Sequence, residues 1–226
     1  MTEAPPPLLS ERRRASTQLI IARTAARLFA SGGVADTTAE QIAAESGVSL
    51  RTFYRHFPTK QDAVAPLLTV GAEHWRTLLA VPRPGLSPRA VVEATIRETL
   101  RPLTLPLSDP AAAENALLTR SLLLGAATDE ALQRIWFRVN GDSEAGLFSV
   151  MTELLGPTAE PHAPRLLAAA GTAAIRAALE AWAVTELPPS GPESAPELAA
   201  RFFRALSAGI VLPGDPPEGA ADARGR

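Results

Sequence analysis

The sequence has no cysteine, one tyrosine (Tyr54) and one lysine (Lys60), and only 5% of its 226 residues are aromatic. Without cysteine there can be no disulfide and no thiolate metal ligand. The three histidines, His56, His74 and His162, are scattered and match no H-E-x-x-H or other metal spacing. P-loop, G-x-G-x-x-G and G-x-S-x-G signatures are missing, and with them the usual marks of nucleotide-binding and hydrolytic enzymes. The expectation is therefore no catalytic residue, no metal and no cofactor. No apolar run is expected to approach the ~18 residues that span a bilayer. The opening MTEAPPPLLSERRRAS also lacks the apolar core of a signal peptide, so a cytoplasmic protein with no membrane partner is expected. Nowhere does hydrophobicity alternate with period two for long, which argues against strands.

What is present favours helices. Hydrophobic residues make up 46% of the chain and charged ones 20%, the balance of a globular protein, and alanine is abundant. The net charge of −2 is unevenly spread: residues 1–60 hold eight basic and five acidic side chains, net +3, and the remainder is net −5. A polyanion would be attracted to the first part and repelled by the second.

The basic part contains the most informative stretch, Thr37 to Lys60, TTAEQIAAESGVSLRTFYRHFPTK. Thr38 caps a short helix, and Gln41 completes an [ST]-x-x-[EQ] capping box. Gly47 falls where a tight turn needs positive φ, Val48 fills the gap between helices, and Ser49 caps a second helix. On that second helix Phe53 and Phe57, at i,i+4, must face the core. Arg51 and Arg55 then point outward, with Thr52 and His56 on one flank and Leu50 and Tyr54 on the other. Outward guanidiniums suit guanine edges or adjacent phosphates, and Tyr54, His56 and Lys60 suit the phosphate walls. This is the layout of a helix-turn-helix. A bland alternative, two amphipathic helices with a solvated charged face, has to explain why the only lysine and the only tyrosine both sit in this stretch.

Upstream, LIIARTAARLFASGG gives Ile21, Ala22, Ala25, Leu28 and Phe29 a helical stripe, expected on a helix from about Ser16 to Ser31. With Ile42, Val48, Phe53 and Phe57 this makes a three-helix head. Arg12, Arg13 and Arg14 lie just before it. They suit either contact with phosphates or a minor groove, or a solvated basic helix start. A helix ending in LF, a Gly pair, T-T-x-x-x-I-A, G-V-S and T-F-Y-x-H-F-x-x-K closely resembles the DNA-binding region of TetR-family transcriptional regulators. The resemblance covers about Arg14 to Leu68. It departs from the family at Arg51, where a small residue, often Gly, is usual; the departure bears on which bases are read.

The rest of the chain is punctuated by proline. A helix capped by Thr59 is expected to reach Leu79 with a kink at Pro66, and Ser87-Pro88, Asp109-Pro110 and Thr128 should each open another. The last two are expected over His162 to Glu186 and from Ser194 to about Gly209. Small residues Ala170, Ala174 and Ala178 let a second helix come close, and Trp182, Leu198, Phe202 and Leu206 add apolar surface. An intramolecular core and a two-fold four-helix interface both fit this pattern. The resemblance implies the second, a homodimer through the last two helices.

The resemblance also implies a small-molecule effector bound within the helical body. Trp75, Trp136, Phe137, Asn140 and Arg120 are candidates for lining its site, although core packing also accounts for the aromatics. Arg120 suits either an anionic ligand or a buried carboxylate such as Glu98 or Glu153. The expected architecture is all-α: a disordered tail at 1–11, a helix-turn-helix DNA-binding head at 12–59, a helical ligand-binding and dimerisation body at 60–212, and a disordered tail at 213–226. The expected function is a dimeric repressor released from a palindromic double-stranded DNA operator by a small-molecule ligand. An activator, a regulator without an effector, or a helical ligand-binding or interaction protein that does not bind an operator remain as alternatives.

Overall fold

The structure, a computed structural model, describes residues 9–103, 110–185 and 190–213. Among these residues there are nine α-helices and no strand: α1 Leu9–Gly32, α2 Ala39–Glu45, α3 Leu50–His56, α4 Ala65–Leu79, α5 Pro88–Leu100, α6 Pro110–Ala126, α7 Glu130–Leu155, α8 Ala163–Val184 and α9 Ala195–Ser207. The all-α expectation holds. Asp109, Glu186 and most of the two expected tails lie outside the described residues.

Several helix ends differ from expectation, each for a local reason. α1 begins at Leu9, about two turns early, because no Gly or Pro interrupts LSERRRAS and Glu11 suits a first turn. Arg12, Arg13 and Arg14 therefore sit on a helix, and Leu9 to Glu11 belong to it instead of to a tail. Thr59 does form a cap, since its hydroxyl accepts from the Asp62 N–H at 3.1 Å, but it opens a 3₁₀ turn over Asp62–Val64. α4 starts after that turn, so Pro66 lies within its first turn, where no i−4 carbonyl awaits its nitrogen. The kink expected there has no cause. α7 is capped by Asp129, whose Oδ1 accepts from the Leu132 N–H at 2.8 Å, and not by Thr128.

The chain divides into two compact units, residues 1–70 with 107–139 and residues 71–106 with 140–226. In the first unit, α1 packs on α6 as well as on the short helices, and Leu118, Leu122 and Leu132 join Ile21, Ile42 and Phe53 in one core. In the second, α5, α8 and α9 close around Trp75, Ile96, Leu147, Met151, Leu167 and Phe203. Two cross-links tie α5 to α9: Arg97 to Glu197 at 2.8 Å and Arg204 to Glu93 at 2.9 Å. Arg89 also caps the end of α9, donating to the carbonyls of Ser207 and Ile210, each at 2.9 Å. Contrary to expectation, α8 is by length and composition apolar enough to cross a membrane, with mean hydropathy 1.2 over its best window. Its buried residues, from Ala163 through Leu167 and Ala174 to Ala183, are the core face of the second unit, which accounts for that composition.

Candidate nucleic-acid interface

The turn between α2 and α3 is built as its residues require. The Thr38 hydroxyl accepts from the Gln41 N–H at 3.1 Å while the Gln41 carbonyl oxygen accepts from the Thr38 N–H at 2.8 Å, a complete capping box. Gly47 has φ +70°, in the left-handed region where a side chain is strained. Val48 packs against the core of the head. The Ser49 hydroxyl accepts from the Thr52 N–H at 3.1 Å and donates to Thr52 Oγ1 at 2.9 Å, fixing the first turn of α3. Each such cap stabilises by about 1 kcal/mol.

Phe53 and Phe57 are buried, with ring centroids 5.7 Å apart. They hold α3 by its inner face, and burial of side chains this large is worth roughly 1.5–3 kcal/mol each. Because that face is fixed, Arg51, Tyr54 and Arg55 are exposed together on the opposite side, with Leu50 at its edge. Tyr54 stacks edge-on against Phe53 at 5.4 Å, which holds the ring while half of it faces solvent. Thr52 and His56 are half-buried on the flank towards α1. There a groove of about 540 Å³ opens between the two helices, lined by Arg13, Arg14 and Thr17 on one wall and by Thr52, Arg55 and His56 on the other. Burial lowers the His56 pKa from its ordinary value, and the Arg55 and Arg14 guanidiniums lower it further.

Lys60 departs from the expectation. Its ammonium donates to the carbonyls of Val34, Ala35 and Thr37 at 2.7, 3.0 and 2.7 Å. An ammonium has three N–H donors, so none remains for a phosphate. Lys60 instead closes the loop between α1 and α2 and positions Thr38 and the rest of the head. The α1 wall of the groove is the part that sequence reasoning did not assemble. Arg13, Arg14 and Thr17 share a helical face by their i, i+1, i+4 spacing, but no local signal tells that α3 lies opposite that face.

The other candidates differ in burial. Trp75 is fully buried, and its Nε1 donates to Thr95 Oγ1 at 3.1 Å within the second unit, so it is a core residue there. Trp136 is buried, Phe137 is half-exposed, and Arg120 and Asn140 are half-buried; all four have partners. Glu98, considered as a partner for Arg120, is held by Arg83 through two 2.7 Å hydrogen bonds. Ala170, Ala174, Ala178 and Leu198 are buried within one chain, so they cannot face a second copy. The small size of the three alanines serves close packing within the core of the second unit. Trp182 and Phe202 are half-buried and Leu206 is exposed. Among the described residues no three or more His, Asp or Glu side chains group as metal ligands would.

The family described as "Bacterial regulatory proteins, tetR family" matches residues 21–65, the head with the capping box, the Gly47 turn and α3. The HTH-type transcriptional regulator TcmR of Streptomyces glaucescens is 35% identical over 88 residues, 39% of this chain and 38% of TcmR. The match thus spans little more than a third of that relative. Among solved structures, the SmeT–triclosan complex aligns with TM-score 0.54 at 18% identity, over 90% of this chain and 98% of that one. The flavonoid-responsive regulator FrrA aligns with TM-score 0.52 at 19% identity, over 88% and 99%. A proposed TetR-family regulator of Mesorhizobium loti gives 0.50 at 21%, over 87% and 97%. The resemblance seen in the motif holds in the family match, and the structural likeness extends the fold over nearly the whole chain.

Proposed function

We propose that this chain, TetR-like in its residues 21–65 and in its all-helical fold, is a dimeric transcriptional regulator. It acts as a repressor that a small molecule releases from its operator, in the cytoplasm and without catalytic activity. The observation that carries the reading is α3: its inner face is locked by Phe53 and Phe57, so Arg51, Tyr54 and Arg55 are presented outward on a rigid helix. Such a helix fits a major groove, where guanidiniums read guanine edges and the phenol meets the phosphate wall. Thr38, Ser49, Leu50 and Thr52 are the remaining residues near the duplex, the first two acting through the helix starts they cap. The basic balance of residues 1–60 supports this, and the acidic remainder keeps the body off the DNA.

The 12–59 segment serves as the DNA head and 60–212 as the body for ligand and dimer. Two-fold pairing uses the exposed parts of the last two helices, with Trp182, Phe202 and Leu206 in the interface beside Leu166 and Val184. It predicts a near-palindromic operator with half-sites about one helical turn, ~34 Å, apart or slightly more. The triclosan complex of SmeT and the flavonoid response of FrrA support a small-molecule effector for this chain as well. Arg120 in such a site would favour an anion.

A mobility shift against the promoter upstream of its own gene, across a salt series, tests the reading. A specific shift that weakens steeply with salt is expected. No specific shift at low salt overturns it.

A further inference from the structure

In the groove between α1 and α3, cations from two helices converge. Arg13 and Arg14 lie one turn into α1, and Arg55 lies on the facing wall beside His56. No acidic side chain lines the groove. Thr17 and Thr52 add hydroxyls to the walls, although Thr17 also donates to the Arg13 carbonyl at 2.9 Å. His56 Nδ1 is sealed from solvent and has no hydrogen-bond partner. The charged groups that face the ring are thus Arg55 on its own helix and Arg13 and Arg14 across the groove, all of one sign. A neutral ring is the only form these surroundings favour, and what they lack is an anion.

We propose that this groove seats one phosphate of the DNA backbone, and that His56 takes a proton from solvent as the phosphate enters. The proposal rests on the DNA-binding reading above. A phosphodiester brings one negative charge among the three guanidiniums, which eases their mutual repulsion and favours a positive charge on the ring beside it. The volume of about 540 Å³ admits the phosphate with part of its sugars. The backbones of Arg13 and Arg14 are held on α1, so both side chains start from the wall of the groove. The phosphate itself does not titrate near neutrality, which leaves the ring as the source of any proton uptake at this point. The consequence is a link between pH and affinity. Since the free ring titrates below its ordinary value and the occupied ring above its free one, binding tightens as pH falls through that interval.

Fluorescence anisotropy with the promoter duplex, at fixed ionic strength from about pH 8 to pH 5.5, reads this directly. The parent dimer, with one such ring in each head, should gain affinity by up to about a hundredfold per pH unit in the steepest part, about tenfold for each proton taken up. His56→Gln should lose that slope, whereas His162→Gln, an exposed histidine on another element, should keep it. Arg13→Ala replaces an exposed residue with a stronger helix former and should lower the slope of log affinity against log salt by about one per head, about two for the dimer on its operator. An unchanged pH slope in His56→Gln, or an unchanged salt slope in Arg13→Ala, overturns the proposal while leaving DNA binding intact. A second arm needs no DNA: inorganic phosphate, but not chloride at equal ionic strength, should raise the midpoint of the His56 ring resonances in NMR. A midpoint that ignores phosphate overturns the seat. A midpoint that responds in a protein that binds no duplex overturns the DNA assignment and gives the seat to a free phosphate compound.

Discussion

The indole of Trp75 lies across Gly171 with no room for a methyl group: an ideal Cβ on Gly171 would stand 2.5 Å from Cη2 and 3.0 Å from Cζ2. The ring cannot easily yield, because it is fully buried and tied to Thr95. Gly171→Ala should therefore destabilise by about 1–3 kcal/mol through overpacking, measured by urea unfolding. Trp75→Phe removes the overlapping part of the ring. The double variant should be more stable than the sum of the two single losses predicts, by at least about 0.5 kcal/mol. Strict additivity would show that the close approach has no energetic weight.

Lys60→Met removes three charge-assisted hydrogen bonds to Val34, Ala35 and Thr37. Water can reach part of this loop, so a loss of about 1–2 kcal/mol is expected. Hydrogen exchange should quicken in residues 34–38. The salt slope of DNA binding should not change, since the ammonium contributes no phosphate contact; a slope reduced by about one unit per head would restore the phosphate role.

Arg51 stands exposed on the outward face of α3, where the family usually has a small residue. Arg51→Ala should relax preference at one base pair of the half-site, at a cost of about 1–3 kcal/mol on the best sequence and less on others. Selection from a randomised operator pool distinguishes this from uniform weakening, the result expected if Arg51 touches only phosphate.

Glu98 has its pKa lowered, chiefly by the hydrogen bonds from Arg83 and also by that residue's charge. A depressed carboxylate contributes stability that is complete above its unfolded pKa and lost as pH falls through the folded one. Thermal unfolding should thus show a decline from about pH 5 to pH 3. In Arg83→Gln the melting point should be lower at neutral pH and the decline shallower. Equal slopes in both proteins would mean the pair is too solvated to matter.

What could be foreseen from sequence depended on how far each signal reaches along the chain. Thr38 with Gln41, Ser49 with Thr52 and the positive φ of Gly47 all act within four residues, and each stands as its spacing implied. The outward face of α3 followed from Phe53 and Phe57 by helical geometry alone. Lys60 was misread because its partners are 23 to 26 residues away, and backbone carbonyls carry no sequence signature. Ala170, Ala174 and Ala178 show the same limit. A stripe of small residues says that something approaches closely, but not whether it comes from the same chain. Trp75 looked like a ligand contact because its partners, Thr95 and Gly171, lie on two other helices. α1 starts upstream of the expected Ser16 because LSERRRAS, which follows the proline-rich lead-in, contains nothing to stop a helix.

The Lys60 clamp also sets how the protein meets electrophiles. The chain has a single side-chain primary amine, and in the folded head that amine is fully donated to three carbonyls as an ammonium. Acylation requires the free base, so an activated ester or an acetyl donor can react at Lys60 only when the clamp opens. The rate of that one modification becomes a clock for opening of the loop between α1 and α2.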